Sequence, residues 1–163
     1  MVILGIDPGY ATVGFGVIEY KGSTFKTIDY GAITTPAGTD FVLRLETIFD
    51  EVISLCQTYN PGAAAVEELF FTHNQKTAIA VGQSRGVILL GLKKSGVDVF
   101  EYTPLQVKQS VVGYGRAEKS QIMSMTKTLL GLEKVPRPDD AADALALAIC
   151  HAHSSKSRLL ELY

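Results

Sequence analysis

The sequence predicts an α/β domain built on one five-stranded mixed sheet, strand order 3-2-1-4-5, with helices on both faces. Its first 34 residues hold three runs rich in Val, Ile, Thr, Phe and Tyr, separated only by turn chemistry, as sequential antiparallel strands are. Beyond residue 40, helical and strand-like patterns alternate, as they do where helices cross over between parallel strands. Such crossovers are right-handed and close-packed, so strand one takes strand two on one side and strand four on the other.

The first three strands cover residues 2–8, 13–20 and 25–34, with "PGYAT" and "YKGS" as the turns between them. From Asp40, residues Phe41, Leu45, Ile48, Phe49, Val52 and Leu55 recur at helical spacing until Asn60-Pro61-Gly62 stops the pattern. "AAAVEELF" then reads as a fourth strand, residues 75–95 as a second helix and "VDVFEY" as a fifth strand. Shorter helices at 104–112 and 118–130 lead through "VPRPDD" to a last helix at 139–153. Residues 1–153 form one domain in this reading, and 154–163 a loosely held tail. A chain of 163 residues, 47% hydrophobic, is long enough to bury one sizeable core.

No stretch approaches the roughly 18 uninterrupted apolar residues of a membrane span. The N-terminus lacks the basic and cleavable regions of a secretion signal, so a cytoplasmic location is expected. Cys56 and Cys150 have no ligand spacing and fall in apolar helical patterns, where cysteine serves as a small hydrophobe. The net charge of −2 argues against a polyanionic partner, but the average conceals an asymmetry. Residues 76–137 carry ten basic and four acidic side chains, a net +6, against −8 for the rest of the chain. A polyanion held on one face fits that distribution.

The chemistry lies in carboxylates at the ends of elements. Asp7 ends strand one, and Glu67 and Glu68 end strand four, where ligands gather in open α/β sheets. Asp140 and Asp143 share one face of the first turn of the last helix, whose five alanines between 141 and 148 let it lie close on the sheet. Acids near a helix N-terminus also serve as caps, a role that suits Asp139 best and Asp143 least. Four converging carboxylates repel, each pair at 4 Å costing about 4 kcal/mol at an effective dielectric of 20. Either their pKa values rise or cations bind. An all-oxygen set without His or Cys favours Mg²⁺ or Mn²⁺, and two such ions form the clamp used for in-line displacement at phosphorus. Alternation along the strand leaves open which of Glu67 and Glu68 takes part.

"GIDPG" with Asp7, "VEELF" with Glu67, "VKQSVVGYGRAEKSQ" from 107 to 121 and "DAADALALAICH" from 140 to 151, in that order, resemble the RuvC family of bacterial Holliday junction resolvases. These belong to the ribonuclease H-like superfamily, and the resemblance spans residues 2 to about 153. It implies a crossover junction endodeoxyribonuclease that nicks two opposed strands of a Holliday junction in recombination and DNA repair, leaving 5′-phosphate and 3′-hydroxyl ends. Asp7, Glu67, Asp140 and Asp143 become the metal-binding tetrad, holding two Mg²⁺ ions with Mn²⁺ as a substitute. Glu68 becomes a face or hydrogen-bonding residue and Asp139 the helix cap.

The same resemblance implies partners and DNA contacts. Phe70 is the matching position for an aromatic wedge at the junction centre, since adjacent Phe70 and Phe71 cannot both face the core. Lys108 and Lys119 look like phosphate contacts, with Arg116 between them in a glycine-containing turn, and Arg85 and Gln83 as further DNA contacts. His73, His151 and His153 show no ligand spacing. The helix at 75–95 carries more apolar residues than one buried stripe needs, and Gly82 and Gly86 would let another helix approach. A two-fold homodimer is therefore expected, matching the near two-fold four-way junction, and a RuvA–RuvB branch-migration complex is the implied partner. Two alternatives are an ATP-handling relative of the actin and sugar-kinase type, which needs a second phosphate hairpin and domain absent from this chain, and a non-catalytic junction-binding protein, for which four acids beside a polyanion would be a liability.

Overall fold

The structure is a computed structural model, describing residues 1–68 and 75–160, the side chains of 75, 76 and 156–160 excepted. Among the described residues five strands, β1 (Val2–Asp7), β2 (Thr12–Lys21), β3 (Thr24–Thr34), β4 (Ala63–Glu67) and β5 (Asp98–Tyr102), form one sheet in the order β3-β2-β1-β4-β5. β1 pairs antiparallel with β2 and parallel with β4; β4 pairs parallel with β5. The expected mixed sheet and its order are those observed.

Among the described residues there are five helices: α1 (Phe41–Tyr59), α2 (Gln75–Lys94), α3 (Pro104–Val112), α4 (Lys119–Leu129) and α5 (Asp139–Leu160). Asp40 caps α1 by accepting from the Val42 and Leu43 N–H groups, and left-handed Asn60 ends it. Thr103 and Gln106 form a capping box at the start of α3. Gly113, at φ 94°, ends that helix, which is the use the fold makes of the glycine-containing turn.

Alternation along the strands sorts the core into two layers. Ile3, Ile18, Ala65 and Tyr102 pack under α5, with α3 and α4 outside it. Leu4, Ile6, Val13, Val17 and Val66 pack under α1 and α2, against Ile48, Val52, Ile88 and Leu92. Each such aliphatic side chain, fully removed from water, contributes roughly 1.5–3 kcal/mol.

The expected boundaries differ at two ends. β4 closes at Glu67, and Phe70, Phe71 and His73 lie outside the described residues. α5 continues to Leu160, past the predicted end at 153, because no glycine or proline stops it after the last buried turn. Residues 154–160 are thus helical where a loose tail was expected.

Candidate active site

Period two decides where Asp7 points. Ile3 and Gly5 face α5, so Asp7 does also; Ala65 faces α5, and Glu67 with it, which turns Glu68 to the other side, where it is exposed. Ile6 is the register partner of Val66, which sets Asp7 and Glu67 side by side at the ends of parallel strands.

Asp140 and Asp143 reach the same edge because α5 lies directly on the sheet. A Cβ at Gly5 would stand 1.9 Å from the Ala144 carbonyl oxygen, and one at Gly14 would stand 2.0 Å from that of Asp140. Gly14 is the register partner of Asp7, so the first turn of α5 rests beside the strand that pairs with the Asp7 end of β1. Glycine in a strand interior weakens the strand, and it marks a place where another backbone comes close. "LGID" and "VGFGV" carried that signal, which the pattern reading passed over.

Electrostatics follow from this crowding. Burial pushes Asp7 up to about 8, with Glu67, Asp143 and Asp140 adding to the rise and Lys119 opposing it. Glu67 is raised for the same reasons, burial first and Asp143 second. Lys119, the first residue of α4, donates from Nζ to Asp143 Oδ2 at 2.8 Å, and that bond holds its own pKa up. The start of α4 is fixed where the Gln121 side chain accepts from the Glu118 N–H at 2.8 Å. A cavity of about 190 Å³ opens beside the carboxylates, lined by Glu67, Lys108, Lys119 and Asp143 and by apolar Val107, Ile122 and Leu147.

This donor set suits a hard divalent cation: it is all oxygen, anionic, and destabilised at neutral pH without added positive charge. Asp7, Glu67, Asp140 and Asp143 are the residues that would hold such ions. Among the described residues no three acidic, His or Cys side chains are wrapped around one point as ligands. Their mutual effect on Asp7 places them as neighbours, with the Lys119 ammonium against Asp143.

The other expected contacts are placed as follows. Phe70 lies outside the described residues. Half-buried Lys108 lines the cavity beside Lys119, and Arg116 is exposed in the connection between α3 and α4. Gln83 is exposed on α2. Arg85 rises from α2 on the opposite face of the sheet, where its guanidinium is bound to Glu101 and to the Glu67 carbonyl oxygen. Asp139 is the first residue of α5 rather than its cap, and its carboxylate accepts from Arg137. His151 is buried between the Tyr102 hydroxyl, at 2.8 Å, and the Phe100 ring; the Ser110 hydroxyl lies 3.1 Å from Nδ1 of His153. Among the described residues no helix is long and apolar enough to cross a membrane.

Comparison with known proteins gives a consistent picture. The family model "Crossover junction endodeoxyribonuclease RuvC" matches residues 3–151. A protein of that name from Alkaliphilus oremlandii is 60% identical over 154 residues, covering 94% of each chain. Among solved structures, Thermus thermophilus RuvC superposes with a TM-score of 0.90 at 36% identity, covering 97% of each chain. The Thermus thermophilus RuvC complex with a Holliday junction substrate gives 0.93 at 36% identity, covering 97% of this chain and 96% of that one.

Proposed function

The chain belongs to the crossover junction endodeoxyribonuclease RuvC family, and from that membership we propose that it resolves Holliday junctions with a tetrad of Asp7, Glu67, Asp140 and Asp143 holding two Mg²⁺ ions, Mn²⁺ serving as a substitute. One observation carries the tetrad: carboxylates from three distant segments meet at one sheet edge, where burial raises Asp7 to about 8 and Glu67, Asp143 and Asp140 add to the rise. Family membership supplies the coarser statement that the nuclease depends on a divalent metal.

Bound cations supply stabilisation of the charge that develops on attacking and leaving oxygens during displacement at phosphorus. Water is the attacking group, and the bond that breaks is P–O3′, leaving a 5′-phosphate and a 3′-hydroxyl. The chain's own residues do the positioning. β1 and β4 fix Asp7 and Glu67 on rigid backbone, and α5 brings two further carboxylates over them. Lys119 holds Asp143 toward the site, and with Lys108 and exposed Arg116 it forms the basic side along which a phosphate backbone would run. Phe70 takes the wedge role at the junction centre.

Symmetric nicking needs two sites, and α2 supports a two-fold homodimer. Ile79 and Leu90 stand 64% and 51% exposed on its outer side, beside Gly82 and Gly86, where a Cβ would meet nothing within 4 Å. A RuvA–RuvB complex is the partner this role implies.

The decisive experiment is Asp7→Asn on synthetic four-way junctions with Mg²⁺. Cleavage should fall by more than the 10- to 100-fold typical when a group that only orients a metal ligand is lost, while junction binding persists. Joint loss of cutting and binding would make Asp7 a structural residue, and unchanged cutting would remove it from the site.

A further inference from the structure

Arg85 sits on the wrong face of the sheet to serve as a groove or phosphate contact beside the tetrad. Its Nε donates to the Glu67 carbonyl oxygen at 3.2 Å, and a terminal nitrogen donates to the Glu101 carboxylate. The side chain is only 16% exposed. Glu101 is the β5 register partner of Val66, so the guanidinium ties the ends of β4 and β5 to α2 from behind. The residue before it, buried Ser84, donates to the Gly9 carbonyl oxygen at 2.5 Å, just past Asp7. Two consecutive α2 residues therefore grip the backbone at both strand ends that carry catalytic carboxylates.

We propose that Arg85 is a positioning residue for Glu67, fixing the last peptide of β4 and with it the direction of the carboxylate on the opposite face. The proposal rests on the assignment of Glu67 as a metal ligand. An arginine suits the task because its planar fork serves two acceptors at once, a carbonyl and a carboxylate, which a lysine's single ammonium does less rigidly. Glu101 supplies the counter-charge for the half-buried guanidinium.

The test separates positioning from DNA contact. In Arg85→Ala, single-turnover cleavage at saturating junction should fall 10- to 100-fold, and calorimetric Mn²⁺ affinity of the protein alone should weaken about tenfold. Junction Kd, measured with Ca²⁺, should stay within about twofold and its dependence on log salt concentration should keep its slope. Arg85→Lys should recover part of both losses, and it carries the test if the alanine variant does not fold. A weaker Kd with a slope shallower by about one and a normal saturated rate would make Arg85 a phosphate contact and overturn the proposal. A lower melting temperature with unchanged rate and Mn²⁺ affinity would also overturn it, leaving a brace with no bearing on the site. Glu67→Gln is the companion: full cutting there would remove the tetrad assignment and the proposal together. If that variant is inactive while both Arg85 variants behave as wild type, only the positioning role falls.

Discussion

The two faces of the sheet are built on opposite plans. Under α5 the layers meet where Gly5 lies against the Ala144 and Ala148 backbone, Gly14 against that of Asp140 and Gly16 against Leu145, so the backbones nearly touch. Under α1 and α2 they meet through Leu4, Ile6, Val13 and Val17 against Ile48, Val52, Ile88 and Leu92. Branched side chains bury more apolar area and hold the backbones apart. A short aspartate on a helix can join a short aspartate on a strand only across the thin layer. The thick layer supplies stability, the Arg85 and Ser84 grips, and an outer apolar surface on α2.

Adding one methyl to the thin layer is the strongest way to break this contrast. Gly14→Ala would place a Cβ 2.0 Å from the Asp140 carbonyl oxygen and must push the first turn of α5 away. We expect overpacking to cost about 1–3 kcal/mol, read by urea unfolding, and cutting at saturating junction to fall on the order of 100-fold. Full activity in a folded Gly14→Ala protein would show that close helix approach does not set the site.

The charge crowded into that layer gives a second measure, in metal-free protein. Asp7 binds its proton up to about pH 8 when folded but only up to about 4 when unfolded, so between those limits the native state holds more protons. The contribution of Asp7 to stability therefore declines as pH rises from about 4 to about 8. Mg²⁺ needs the ionised carboxylates, so its stabilisation should grow over the same interval. At pH 8 and a hundredfold excess over Kd it should reach about 2.7 kcal/mol, or roughly 5 to 10 °C for a chain of this size. Calorimetry at pH 5 and 8 with and without Mg²⁺ checks both signs, and an equal shift at the two pH values would contradict the assignment.

The same substitution on the thick side should act in reverse. Gly82→Ala meets open space on α2, so helix propensity should stabilise the isolated chain by about 1 kcal/mol or less. If a second copy docks there through close glycine approach, sedimentation should show weaker association in the same variant. Unchanged self-association would move the dimer contact elsewhere.

Most of the frame was legible because it depends on local periodicity. Turn chemistry after Asp7, helical spacing from Phe41 and the crossover rule lead to the observed strand order, and the element ends pointed to Asp7, Glu67, Asp140 and Asp143. Alternation also divided Glu67 from Glu68, without saying which face would be the active one. The motif resemblance chose Glu67; the physical reason is tertiary, since it turns on which face α5 settles against. The role of the strand glycines, the Lys119 bond to Asp143, and the withdrawal of Arg85 to the back of the sheet are also tertiary. Periods of 2 and 3.6 fix which side of its own element a residue faces. They contain nothing about the distance between elements, and that distance, set here by absent side chains at Gly5 and Gly14, decides which charges meet.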